Sequence, residues 1–205
     1  MFKDTFPFLE VLNQSLPIRE ILRRMPQAAL PNWYLGAGCL AQTIWNHLHD
    51  YDLTTSINDY DIVYFDSDLS KEKEILIQQQ TQALFSDLTI KIDIVNQARV
   101  HLWYEAYFGY AIKSLRSVEE AIATWPVIAT CIGVTHKNNT CVVYAPYGYD
   151  DLLHMIVEIN EVWLKNYVPL DRLQYVEELY IKKVTRWRTA WPKLTIKPFD
   201  ISKSK

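Results

Sequence analysis

With 205 residues, 49% of them hydrophobic and 22% charged, the chain is long enough to bury its own core without a disulfide framework. A formal net charge of −3 excludes broad electrostatic attraction for DNA or RNA and leaves room only for a local basic patch. The three cysteines, Cys39, Cys131 and Cys141, are odd in number and lack metal-ligand spacing, which predicts free, buried thiols in a reducing cytoplasm. Seven Trp and thirteen Tyr predict many rings in the core or on a stacking surface. The opening "MFKDTFPFLE" carries acidic residues and Pro7 where a secretory leader would need an unbroken apolar run. No stretch approaches the roughly 20 apolar residues that span a bilayer, so no membrane partner and a cytoplasmic location are expected.

Residues 8–25 have apolar side chains at helical spacing, with Pro17 as a break, so one helix or two short ones are expected before the turn "MPQAALPN". "NWYLGAGCLAQTIWNHLHD" then reads as a short strand (33–35), a glycine turn, and a helix with Leu40, Ile44, Trp45 and Leu48 on one face. "DYDLTTSIN" is a loop, and "DYDIVYF" has the β-branched and aromatic residues of a strand. Residues 70–86 predict a helix with Ser70 as N-cap and Ile75, Leu76, Gln79 and Leu84 in register. "LTIKIDIVN" alternates, with Leu88, Ile90, Ile92 and Ile94 on one face and Thr89, Lys91, Asp93 and Val95 on the other. "SVEEAIATW" opens on a capping box, Ser117 with Glu120, and a hairpin around "KNN" follows, closed by Pro146. A short segment from Asp150 and a long C-terminal helix ending at Pro192 complete the chain, with no internal repeat or interdomain linker.

Asp59 and Asp61 lie two apart at the start of a strand and so share a face. Two carboxylates that close repel each other unless a cation lies between them. Asp93 sits on the polar face of the second strand, where an unpaired charge would be costly, and if the two strands are neighbours all three carboxylates converge. Carboxylate oxygens suit Mg²⁺ or Mn²⁺ with substrate phosphates as further ligands. Upstream, Gly36, Ala37 and Gly38 allow the backbone to approach a phosphate, which the amides at the start of the next helix would receive. Taken singly, the paired aspartates also read as a solvated strand edge, the glycines as a turn, and Asp93 as a partner of Lys91 or Arg99.

The order of strand, small-residue turn, helix, strand with paired Asp, helix, and strand with a third Asp resembles the DNA polymerase β-type nucleotidyltransferase superfamily. "LGAGCLAQTIWNHLH", "NDYDIVYFD", "DIVNQARVHLWY", "SVEEAIATWPVIATCIGV", "APYGYDDLL" and "KVTRWRTAWPKL" together resemble a bacterial group of small proteins, the nucleotidyltransferase-6 domain-of-unknown-function family, over roughly residues 8–196. The resemblance implies an α+β nucleotidyltransferase fold, a mixed β-sheet flanked by helices. It implies one domain over residues 1–205, with a core at about 30–150, an N-terminal helix at 8–25 and a C-terminal helical segment at 150–192. It further implies Gly38 on the turn, Asp59 and Asp61 as the first two metal ligands, and Asp93 as the third carboxylate and general base or its metal-bound substitute. The activity implied is transfer of a nucleoside monophosphate from an NTP to an unidentified acceptor: a small molecule, a protein side chain or an RNA end. Ala37-Gly38 stands where the superfamily commonly has Gly-Ser, and the segment between Gly38 and Asp59 is longer than usual.

Beside that site, Arg99 is read as a phosphate contact or a partner of a structural carboxylate, and His101 as an acceptor contact or a local packing group. Asp150 and Asp151 read as helix N-terminal acids, and His47 and His49 point to different helix faces and are set aside as ligands. Lys182, Lys183, Arg186 and Arg188 interleave with Trp187 and Trp191, which predicts an amphipathic helix with its rings inward. Were its basic face beside the site, it would hold a nucleotide or RNA acceptor. Two alternatives to a transferase stay open: a catalytically degenerate nucleotide-binding module, favoured by the missing serine, and a metal-dependent phosphohydrolase with water as acceptor.

Overall fold

The structure, a computed structural model, describes residues 7–137 and 140–200; the opening decapeptide up to residue 6 and the Asn138-Asn139 tip of the expected "KNN" turn lie outside the described residues. The strands β1 (Tyr34–Gly36), β2 (Tyr60–Tyr64), β3 (Ile92–Asn96), β4 (Gly133–Lys137) and β5 (Thr140–Tyr144) form a mixed sheet in the order β3-β2-β1-β4-β5. β1 pairs antiparallel with both β2 and β4, β4 with β5, while β2 and β3 run parallel. A parallel pair needs a crossover, and α4 (Lys71–Ala83) supplies it. The result is a mixed α+β architecture, a five-stranded sheet flanked by helices.

Before the sheet, the chain forms α1 (Phe8–Gln14) and α2 (Leu16–Arg24). The break falls at Ser15, whose backbone is extended (φ −72°, ψ 113°), and Pro17 sits in the first turn of α2, where a missing N–H costs nothing. After β1 comes α3 (Gly38–Leu48), whose Leu40, Ile44 and Trp45 are fully buried with Leu35 of β1 and Ile62 and Tyr64 of β2. The expected apolar face of α4 is different. Ile75 and Leu76 are exposed, and the helix is tied instead by Gln78 Nε2, which donates to the Ile94 carbonyl at 2.8 Å, and Gln82 Nε2, which donates to the Ile92 carbonyl at 3.3 Å. Glutamines one helical turn apart match carbonyls two residues apart on the outer side of β3, so the helix closes a sheet edge rather than burying a stripe.

Beyond β3 lie α5 (Val100–Phe108), α6 (Val118–Ala123), α7 (Asp150–Leu153), α8 (Glu161–Tyr167) and α9 (Leu173–Ala190), with β6 (Ile156–Val157) and β7 (Thr195–Ile196) paired in parallel. At the start of α6 the Ser117 hydroxyl accepts from the Glu120 amide at 3.0 Å, half of the expected capping box; the Glu120 carboxylate turns to the Arg116 amide at 2.6 Å. Asp150 and Asp151 stand in the first turn of α7, as expected of helix N-terminal acids. Cys39 and Cys131 are buried free thiols, whereas Cys141 is only half-buried, its Sγ 2.9 Å from His136 Nε2. No helix among the described residues is long and apolar enough to cross a membrane.

The course of α9 is set by its C-terminal rings. Trp187 and Trp191 pack on Trp45 of α3 with centroids 5.3 and 5.6 Å away. Trp191 Nε1 donates to Asn46 Oδ1 at 2.7 Å, and Asn46 Nδ2 donates to the carbonyls of Leu53 and Thr55. One buried amide thus joins α3, α9 and the loop that leads into β2. His49 completes the anchor, its Nδ1 bonded to the Trp45 carbonyl and its Nε2 accepting from the Lys193 amide.

Candidate active site

Strand register sets Asp61 beside Asp93, although of the three carboxylates only Asp59 and Asp61 line a cleft, Asp93 facing Lys91. Gly36 of β1 pairs with Asp61 of β2, and Asp61 pairs with Asp93 of β3, so the last residue of β1 and two aspartates form one row across three strands. Residues paired in adjacent strands point to the same face, and Asp59, two before Asp61, joins them. Along that face Asp61 is followed by Val63 and Asp93 by Val95, while Tyr60, Ile62 and Tyr64 point to the opposite, α3-covered side.

The turn between β1 and α3 abuts this row. Its unusual residue is Ala37, at φ 61° and ψ −137°, a region that side chains other than glycine's seldom enter. Gly38, expected on the turn, is instead the first residue of α3. Gly36 is required for a different reason: a Cβ there would come within 2.6 Å of the Trp125 Cη2 ring atom. The space that sequence reading reserved for a phosphate beside Gly36 is filled by an indole. Ala37→Gly should therefore stabilise the protein by about 1 kcal/mol through relief of the positive φ, measurable as a raised denaturation midpoint.

Electrostatically the row is crowded. Burial, and after it the charges of Asp59 and Asp93, push the Asp61 carboxyl up to about 7, against the opposing pull of Lys183 and Lys91. Lys91 Nζ sits 2.6 Å from Asp93 Oδ2 and 3.6 Å from Asp59 Oδ2. A cation thus already lies between two of the three carboxylates. Among the described residues no three carboxylate, histidine or cysteine side chains close around a single point as an ion cage, because Asp93 is turned toward Lys91. The chemistry of the donors nonetheless fits a hard divalent cation. Asp59 and Asp61 face one cleft, their oxygens are the ligand type of Mg²⁺ and Mn²⁺, and the half-exposed Asp93 and Lys91 leave their pair open to competition from a divalent ion.

That cleft has a volume of about 470 Å³ and runs from Ala37, Gly38, Asp59 and Asp61 past Lys183 and Arg186 to an apolar end. The α9 basic stretch, expected as an amphipathic helix, does turn Trp187 and Trp191 inward, to 2% and 1% exposure. Its Lys183 and Arg186 nevertheless line the cleft. The Lys183 ammonium stands 4.9 Å over the Trp187 ring, and crowding by the cleft walls lowers its proton affinity while Asp61 and Asp59 raise it.

Arg99 is not brought to the carboxylates. Its guanidinium is paired with Glu74 of α4, its Nε donates to the Leu69 carbonyl at 2.9 Å, and both charged side chains are about nine-tenths buried, at 9% and 11% exposure. Glu74 also accepts from the Asn96 amide, and the Asn96 side chain holds the backbone of Asp66 and Asp68, so this network locks the β2–α4 connection onto β3. His101 Nδ1 is buried without a protein partner and does not line the cleft. The cleft's aromatic walls, Trp103, Tyr104, Trp125, Trp163 and Tyr167, were not singled out from sequence; the high Trp and Tyr content was the only signal of them.

Comparison with the curated proteins gives no match. Among solved structures, an NMR structure described as revealing a CCA-adding enzyme head domain is similar to this chain with a TM-score of 0.74 at 26% identity, covering 96% of this chain and 97% of that one. The two resemble each other along nearly their whole lengths, and the carboxylate-bearing sheet lies inside the segment that a family profile recognises. That profile, described as nucleotidyltransferase, matches residues 23–196, and the chain belongs to this nucleotidyltransferase family.

Proposed function

We propose that the protein transfers a nucleoside monophosphate from an NTP to an acceptor hydroxyl in a reaction that depends on Mg²⁺ or Mn²⁺ held by Asp59, Asp61 and Asp93. The observation that supports this reading is the register Gly36–Asp61–Asp93, with Asp59 and Asp61 lining one cleft beside Ala37 and Gly38 at the start of α3 and Asp93 on the neighbouring strand. When bound, the divalent cation supplies charge neutralisation to the triphosphate and acidity to the acceptor hydroxyl. The chain's own groups do the rest. The free amides at the start of α3 receive phosphate oxygens, and Lys183 and Arg186 offset charge on the departing pyrophosphate. Asp93 takes the acceptor's proton as the new O–P bond forms at the α-phosphorus and the bond to the β-phosphate oxygen breaks.

One feature favours the binding-module alternative: Lys91 already occupies the space between Asp59 and Asp93, which allows nucleotide to be held without a metal ion. Titration of Mn²⁺ followed by electron paramagnetic resonance, with a non-hydrolysable NTP analogue present, separates the two. The transferase reading expects Mn²⁺ to bind the wild type and to be lost with Asp59→Asn plus Asp61→Asn. Nucleotide binding indifferent to the metal ion would make the transferase reading give way to the module.

A further inference from the structure

We infer that the apolar end of the cleft is a nucleobase subsite that stacks purines in preference to pyrimidines; this deepens the nucleotide reading above and rests on it. The same sheet face that carries Asp61 and Asp93 becomes apolar two residues further on, at Val63 and Val95. Above those valines stand rings from three separate parts of the chain: Trp103 and Tyr104 of α5, Trp125 beyond α6, and Trp163 and Tyr167 of α8. The wall begins beside the carboxylates, because Trp125 packs against Gly36, the register partner of Asp61. Trp103 keeps 37% of its surface exposed although it lines the cleft, leaving ring area for a ligand to cover. The Tyr104 hydroxyl is engaged with that of Tyr110 at 3.1 Å, so its polar tip is already satisfied.

The two ends of the cleft differ in what they attract. With a divalent cation on the carboxylates, the α3 amides, Lys183 and Arg186 would hold phosphates at one end, so the base of the same nucleotide would fall in the aromatic compartment. A volume of about 470 Å³ lies in the range of sites for ligands of nucleotide size. Stacking on aromatic side chains is open to every base because each has a π-face, but a two-ring purine covers more of it than a one-ring pyrimidine.

Calorimetric titration with Mg²⁺ and, in turn, inorganic triphosphate, ATP, GTP, CTP and UTP tests this on the wild type and on Trp103→Leu, with inorganic triphosphate binding and the denaturation midpoint reporting that the variant is folded. Expected are ATP and GTP about tenfold tighter than CTP and UTP, and ATP about fivefold weaker in Trp103→Leu with inorganic triphosphate unchanged. Four nucleotides bound equally, no tighter than inorganic triphosphate and insensitive to Trp103→Leu, would overturn the base subsite while leaving the phosphate end intact. If inorganic triphosphate itself failed to bind with Mg²⁺, the nucleotide reading would fall and this inference with it.

Discussion

Asp61→Asn should lower transfer by at least about a thousandfold, the scale on which preorganised electrostatic groups act, and should at the same time make the metal-free protein more stable. The second effect follows from the raised proton affinity of Asp61, whose carboxyl titrates near 7 in the fold against an ordinary value of 3.8. An acid whose pKa is raised by folding binds more protons in the native state between those values. Stability from this group is therefore full below about pH 4 and lost as the pH climbs toward 7. An amide removes the penalty. Wild type and variant should denature alike near pH 4, whereas at pH 8 the variant should be more stable by about 2 to 4 kcal/mol, a range set by the size of the shift. Saturating Mg²⁺ at pH 8 should raise the wild-type midpoint and not the variant's. Urea denaturation at the two pH values gives the answer, and a variant less stable than wild type at pH 8 would show that the Asp61 carboxylate is already satisfied within the fold.

Arg99→Ala should act on stability instead of on substrate. The guanidinium pairs with Glu74 where both are almost fully buried, and removing one member leaves an uncompensated charge, at a cost of about 3 to 5 kcal/mol. Because Glu74 also holds the Asn96 amide, the β2–α4 connection should loosen with it. At a temperature where the variant is still folded, KM for the NTP should be unchanged. Arg99→Met combined with Glu74→Leu should recover part of the stability, since two apolar residues of similar volume leave no orphaned charge, while the Asn96 amide still loses its Glu74 acceptor. A tenfold rise in KM with the denaturation midpoint unmoved would return Arg99 to the phosphate role that its sequence position suggests.

Much of the sheet was legible because its signals are local. The period-two alternation around Asp93, the glycine-rich turn after a short apolar run, and the paired aspartates before "IVYF" each mark an element within a few residues, although only Ile92–Asn96 of the alternating segment 88–96 is a strand. Convergence of Asp61 and Asp93 is not local: it depends on β3 lying beside β2 in a parallel register, which a sequence can suggest only through a resemblance. Three details escaped for physical reasons that are now clear. The positive φ of the turn belongs to Ala37, a residue type that does not advertise it. Gly36 is small because an indole some ninety positions later packs on it, and no pattern near residue 36 encodes that. Arg99 sits next to the carboxylate strand in sequence but turns toward α4 to meet Glu74. Helices α5 and α8, not foreseen, carry much of the aromatic wall, since short aromatic-rich segments show no clean helical period.

The basic stretch of α9 illustrates the same divide. Its inward rings follow from amphipathic spacing, but the placement of Lys183 and Arg186 at the cleft follows from Trp191 reaching Asn46, 145 positions away. Long-range anchoring of this kind decides which cations face a site, and the local pattern does not contain it.

The most direct measurement of the central claim is transfer itself. Wild type and the Asp59→Asn plus Asp61→Asn variant would be incubated with each α-labelled NTP, Mg²⁺ or Mn²⁺, and cell extract, with the label followed into macromolecules and metabolites. The account predicts label on an acceptor only with wild-type protein and only with the divalent ion present, the identity of the labelled species naming the acceptor class. Label that appears equally with the variant, or no transfer with any nucleotide and either metal, would contradict it.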